Sequence, residues 1–139
     1  MKNVLLLVLL CTLLSCGKDR GSRIPEVFVD YRITVQDFEN GKGEYDIMFV
    51  DGYGVAGLLI YKVGAYQYKA YDRCSSVEPE KKCAVVRHTA FTVKDPCSGA
   101  LFSLGDGTPQ QAPAVRNLKE YSVRVINNFN ILVSNDYGN

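Results

Sequence analysis

Histidine occurs once in these 139 residues and tryptophan not at all. A lone imidazole, His88, removes most acid–base schemes, and no Ser-His-Asp arrangement is visible. Neither charge is in excess: Lys plus Arg number 16 and Asp plus Glu 15, which gives no electrostatic reason to expect a nucleic-acid partner. No apolar run reaches the ~20 residues that a transmembrane helix needs. No stretch reads convincingly as an amphipathic helix, and there is neither an internal repeat nor a low-complexity segment. Gly52-Tyr53-Gly54 is a turn and not a phosphate loop, because no helix follows it. The expectation from these absences is a single domain with a real core that is not an enzyme.

What is present begins with a leader. Met1-Lys2-Asn3 supplies a small positive start, and Val4 to Leu14 is an apolar run broken only by Cys11 and Thr12. Its length is that of a secretory h-region. It closes with Leu13-Leu14-Ser15-Cys16-Gly17, which resembles a bacterial lipobox, where the Cys is lipidated and becomes the new N-terminus. The reading is a signal peptide over 1–16, a flexible tether over 17–25, and a folded domain over 26–139. Lipidation at Cys16 would hold the domain to a membrane surface without spanning it. Gly17, with no Asp beside the lipidated position, resembles an outer-membrane lipoprotein. An exported chain can form and keep disulfides. With Cys11 and Cys16 set aside, the five cysteines reduce to Cys74, Cys83 and Cys97, enough for one bridge and one leftover thiol.

After Pro25 the pattern is β. Val27 to Val35, Tyr45 to Val50, Val55 to Val63 and Tyr66 to Asp72 read as strands rich in β-branched and aromatic residues. Gln36 to Glu44 reads as a loop around Asn40-Gly41-Lys42-Gly43. Ala84 to Arg87 and Phe91 to Lys94 form a hairpin around His88-Thr89-Ala90. Leu101 to Leu104 is a further strand, and Gln110 to Leu118 an irregular crossover. Tyr121 to Ile126 and Phe129 to Val133 close the fold as a hairpin around Asn127-Asn128, residue types that tolerate positive φ. Short strands at this spacing predict a small antiparallel sandwich or barrel.

The stretch that organises the chain runs from Tyr71 to Phe102. It holds Asp72-Arg73-Cys74-Ser75-Ser76, the charged run Glu78-Pro79-Glu80-Lys81-Lys82, Cys83, the short hairpin, and Asp95-Pro96-Cys97-Ser98-Gly99-Ala100-Leu101-Phe102. The layout resembles the two cluster-holding loops of a Rieske iron–sulfur domain. That family carries Cys-x-His on one loop and Cys-Pro-x-His-Gly-Ser-x-Phe on the other, with two Cys on one iron and two His on the other. In frame, Pro96, Gly99 and Phe102 are retained. The ligand positions fall on Cys74, Ser76, Asp95 and Ser98, and Ala100 stands where the family has Ser. The resemblance covers roughly Ile24 to Ser134 and implies an all-β Rieske-like sandwich or barrel. Against that pattern only Cys74 remains of the four ligands, and His88 lies about five extended residues, ~16 Å, from either loop. No cofactor or metal is expected on this reading; the alternative is an atypical [2Fe–2S] cluster.

The resemblance also implies a bridge. Rieske domains commonly join their two loops through the residue after the second loop's Pro, the place of Cys97. The usual partner position falls near Pro79, with Cys83 four residues on. A hairpin centred on Ala90 would set Cys83 opposite Cys97, while Cys74–Cys97 remains a second pairing. The leading function is a lipid-anchored envelope protein with a degenerate Rieske-like domain and a binding or structural role. Its partners would be the membrane, through the lipid, and another envelope protein. The alternative is electron transfer. A third reading, an exposed-thiol redox protein, rests on Cys74 alone.

Overall fold

The computed structural model describes residues 23–135. The leader, Cys16 and most of the expected tether lie outside them. Ten strands follow in order: β1 Asp30–Thr34, β2 Ile47–Val50, β3 Leu58–Gly64, β4 Gln67–Asp72, β5 Val86–Arg87, β6 Thr92–Lys94, β7 Leu101–Ser103, β8 Pro109–Gln111, β9 Glu120–Ile126 and β10 Asn130–Ser134. They form a six-stranded sheet, β1-β10-β9-β4-β3-β2, and a four-stranded sheet, β5-β6-β7-β8, with every pairing antiparallel. Short β-rich segments joined by tight turns are thus satisfied as a sandwich of two sheets, and the all-β expectation holds.

β3 and β4 divide two cores. Side chains alternate along a strand, so Leu58 and Ile60 point into one apolar cluster with Ala70, Tyr121, Ile131 and Val133. Leu59 and Tyr71 point into the other, with Val85, Val93, Phe102 and Leu104. Burial on both faces explains why Leu58-Leu59-Ile60 is continuously apolar where an edge strand would alternate. The two sheets are also pinned at their edges. Arg87 on β5 donates to the Ile47 carbonyl on β2 at 2.7 Å. Its guanidinium and that of Arg73 lie 4.4 and 4.1 Å from the Phe49 ring.

Several sequence expectations change. Val27–Val35 shortens to β1, and the Gln36–Glu44 loop contains a helix, α1, at Val35–Gly41. Thr34 caps it, its hydroxyl accepting from the Asp37 amide at 3.0 Å, and Phe38 is fully buried against the Tyr68 ring. One buried aromatic and one cap are enough to hold seven residues that show no apolar stripe. Glu44–Asp46 is a 3-10 turn with Tyr45 and Asp46 at φ 61° and 57°, so the second strand starts at Ile47 and not at Tyr45. β3 starts at Leu58, after the Val55 to Gly57 turn. Pro109–Gln111 pairs as β8 inside what the sequence suggested was an irregular crossover. The closing hairpin is as expected, with Asn127 and Asn128 at φ 52° and 54°. Ile24, read as tether, is only 4% exposed.

The end of β4 carries a buried junction. Asp72, fully buried, accepts from the amides of Val55 (2.6 Å), Ala56 (3.1 Å) and Cys74 (2.8 Å) and from the Tyr121 hydroxyl (2.8 Å). It thereby ties the turn before β3 and the start of β9 to the first cysteine loop. Gly54 makes this approach possible: its φ is +65°, and a Cβ there would lie 2.4 Å from Asp72 Oδ2. Gly54→Ala is therefore expected to lower unfolding free energy by about 2–4 kcal/mol, read from denaturant melts, since it adds both left-handed strain and a clash with a buried carboxylate.

Candidate functional site

One end of the sandwich gathers three loops: Arg73 to Val85 after β4, Asp95 to Ala100 between β6 and β7, and Ala112 to Lys119 between β8 and β9. β4 and the short hairpin bring the first two side by side. Ser75 N donates to Cys83 O at 2.8 Å, Val85 N to Arg73 O at 2.7 Å, and Cys74 faces Ala84 across an isolated bridge. The β5–β6 register is Val86↔Lys94 and Arg87↔Val93. Continued outward, it sets Cys83 opposite Cys97, and these two form the disulfide, with Cα atoms 6.4 Å apart. The expected Cys83–Cys97 bridge is the one formed, and the second pairing, Cys74–Cys97, is not. Closing a loop of 14 residues' separation contributes roughly 3 kcal/mol in the chain-entropy description.

Asp95 is the centre of the tip. It is 1% exposed. Oδ2 accepts from the Ser75 hydroxyl at 2.7 Å and the Ser98 hydroxyl at 2.6 Å. Oδ1 accepts from the amides of Cys97 at 2.8 Å and Ser98 at 3.3 Å. Burial alone would raise its pKa; the Ser98 and Ser75 hydroxyls and the two amides outweigh that and hold it below its ordinary value. Ser76, at the other position equivalent to a ligand in the first loop, turns away and donates to the Arg116 carbonyl at 2.7 Å. Just before the third loop, Gln111 at the end of β8 donates from Nε2 to Gly99 O at 3.1 Å.

Among the described residues Cys74 is the free thiol, and it is fully buried. Its sulfur faces the carbonyls of Ser75 and Pro79 at 3.7 and 3.5 Å. Burial, with the Asp72 carboxylate nearby, pushes the thiol up to about 11. The exposed-thiol redox reading is overturned on both counts, access and acidity. His88 is exposed and shares a hydrogen bond with Thr92 Oγ1 at 2.9 Å, on the far side of the hairpin.

Of the residues singled out in the sequence, Asp95 and Ser98 meet, Cys83 and Cys97 meet, and Cys74 and Ser76 stay apart from both pairs. Ser75 and Asp72 carry more of the geometry than the sequence suggested. Their signal is an Asp or Ser directly beside a loop cysteine, where short polar side chains bind the backbone of the turn. Sulfur atoms of Cys83 and Cys97 and an oxygen of Asp95 lie within 4.8 Å of one another. Both sulfurs are in the bridge, so neither is a thiolate. At the four ligand-equivalent positions stand Cys74, Ser76, Asp95 and Ser98, which is not the set of two thiolates and two imidazoles that a Rieske cluster requires.

Two outcomes are expected. Asp95→Asn is expected to destabilise by about 2 kcal/mol, because an amide turns two donors toward groups that already donate. A carboxyl whose folded-state pKa is lowered contributes stability above its unfolded value, near 3.9, and loses it as pH falls through the folded value. The denaturant midpoint of the wild type is thus expected to fall more steeply below about pH 4 than that of Asp95→Asn. Alkylation at pH 8, mapped by mass spectrometry, is expected to leave Cys74 unlabelled in the folded protein, where the sulfur is enclosed and burial disfavours the thiolate. The same reagent is expected to label Cys74, and neither Cys83 nor Cys97, after unfolding without reductant.

No protein-family model matches the sequence, and no curated protein matches it. Solved structures do. The ferredoxin of carbazole 1,9a-dioxygenase from Nocardioides aromaticivorans IC177 superposes with a TM-score of 0.54 at 19% identity, covering 80% of this chain and 100% of that one. The cyanobacterial plasma membrane Rieske protein PetC3 from Synechocystis PCC 6803 gives 0.52 at 24% identity, covering 78% and 98%. A chain from the complex of reduced oxygenase and oxidized ferredoxin in carbazole 1,9a-dioxygenase gives 0.52 at 23%, covering 76% and 93%. Identities this low speak to architecture alone, and the architecture agrees with the two-loop tip built from Cys74 and Cys97: this chain has the Rieske-like fold.

Proposed function

We propose that this chain is a lipid-anchored envelope protein whose Rieske-like domain closes its loop tip with a disulfide and a buried carboxylate in place of an iron–sulfur cluster, and that it binds or scaffolds rather than catalyses. The observation that carries this reading is Asp95. It stands where a Rieske loop supplies a cysteine ligand, and all four of its short contacts go to protein donors on the two loops. Ser76 and Ser98 support it, since they stand where the family has its imidazoles and their hydroxyls donate to the Arg116 carbonyl and to Asp95. The Leu13 to Gly17 pattern supports the anchor at Cys16, an outer-membrane address, and partners drawn from the membrane and its envelope proteins.

The contrary reading is electron transfer through an atypical [2Fe–2S] cluster. It draws on the neighbours, which include a ferredoxin and a Rieske protein. Fractionation and elemental analysis separate the two. Cys16→Ser is expected to move the protein from the membrane to the soluble fraction; retention of the unlipidated variant would sink the anchor. Protein purified anaerobically is expected to be colourless and to hold neither iron nor zinc in stoichiometric amount. A brown preparation with two irons per chain would install the electron-transfer reading.

A further inference from the structure

β1 ends the six-stranded sheet, and among the described residues no strand pairs with its other edge. Two backbone bonds set the phase of that edge. Val35 N donates to Phe129 O at 2.8 Å, and Asn135 N donates to Val29 O at 3.3 Å. Both lie in the register that pairs Asp30 with Ser134 and Thr34 with Asn130. Hydrogen-bonded and non-bonded pairs alternate along an antiparallel ladder. Val29, Tyr31, Ile33 and Val35 therefore turn their N–H and C=O groups toward β10. Asp30 and Arg32 turn theirs toward the open edge, while the carbonyl of Thr34 is taken by the first turn of α1.

The same residues carry opposite charges. Arg32 Nε lies 3.3 Å from Asp30 Oδ1, and the two side chains are 74% and 41% exposed. Charges on an edge strand commonly keep other strands away. Two opposite charges spaced two residues apart behave differently toward an identical strand that runs antiparallel. Hydrogen-bonded pairs across the new seam must match even-numbered residues with even-numbered residues. A two-fold axis at Asp30 or at Arg32 would oppose like charges, which is unfavourable directly across a pair. An axis at Tyr31 opposes Asp30 to Arg32 twice.

We propose that β1 is the seam of a homodimer in which two copies pair antiparallel about a two-fold axis at Tyr31, Asp30 of each facing Arg32 of the other. The interface is isologous, as a two-fold requires, and joins the two six-stranded sheets edge to edge. It also sets Phe28, whose ring is 74% exposed, beside Thr34 of the second copy. A seam of one short strand is small, so the dimer is weak, with a Kd on the order of 10–100 μM. The inference rests on β1 alone and requires neither the anchor nor the cluster.

Sedimentation equilibrium tests it, using the full chain with Cys16→Ser in non-ionic detergent. That background is expected to show a concentration-dependent monomer–dimer equilibrium that weakens with added salt. Adding Arg32→Asp places acid against acid and is expected to raise Kd at least about tenfold. Adding Asp30→Arg to it exchanges the charges and is expected to restore the original Kd. Thermal melts of all three are expected to coincide at dilutions where each is monomeric, because both side chains are exposed. A monomer at every concentration overturns the proposal. So does an Arg32→Asp variant that dimerises like the parent, or an exchanged pair that fails to recover.

Discussion

A carboxylate buried to 1% exposure is strongly unfavourable unless its lone pairs are occupied. Asp95 meets that condition by drawing two loops onto itself. Two hydroxyls and two amides converge on it, one hydroxyl from the first cysteine loop and the rest from its own. The Cys83–Cys97 bridge then fixes the same two loops covalently. The third loop is tied to the first through Ser76 and Arg116, and the end of β8 just before it to the second through Gln111 and Gly99. If Asp95 lost its charge, Ser75 and Ser98 would lose the acceptor that orients them. The tip of the domain therefore rests on one ionised group kept dry and fully bonded.

That junction sits on a rigid base. β3 and β4 are buried on both faces and separate two apolar clusters, so neither core can shift without the other. Asp72 at the end of β4 repeats the logic of Asp95 one loop earlier: a buried carboxylate collects amides from Val55, Ala56 and Cys74 and a hydroxyl from Tyr121. On the far edge the Phe49 ring carries two guanidiniums, one of which bonds across to the other sheet. Each such contact contributes about 0.5–1 kcal/mol. Together they keep β2 and β5 in line, and through β5 they hold Cys83 at the register that meets Cys97.

Three loops meet at one end of the sandwich. That end is stiffened by contacts internal to the protein. Cys74 fits the same picture: enclosed, weakly acidic and facing carbonyls, it acts as a small apolar filler beside Asp72.

Much of this was legible from residue order. Period-2 patterning located most strands, Asn127-Asn128 located the closing turn, and the centre of the short hairpin at Ala90 set the register that pairs Cys83 with Cys97. The frame Asp95-Pro96-Cys97-Ser98-Gly99 and its spacing from Cys74 pointed to the fold. Other features had no local signature. α1 depends on Phe38 finding the Tyr68 ring from a distant strand, and β8 exists because β7 offers it a ladder. The sequence by itself determined most of the strands and the hairpin register that favours the Cys83–Cys97 bridge, because alternation and hairpin register are properties of short segments, and the loop motifs carried the resemblance that implied the fold. Only tertiary structure decided that Asp95 reaches Ser75, that Ser76 turns to Arg116 and that Cys74 is sealed. Those outcomes depend on where three loops meet, and no single segment encodes the position of the other two.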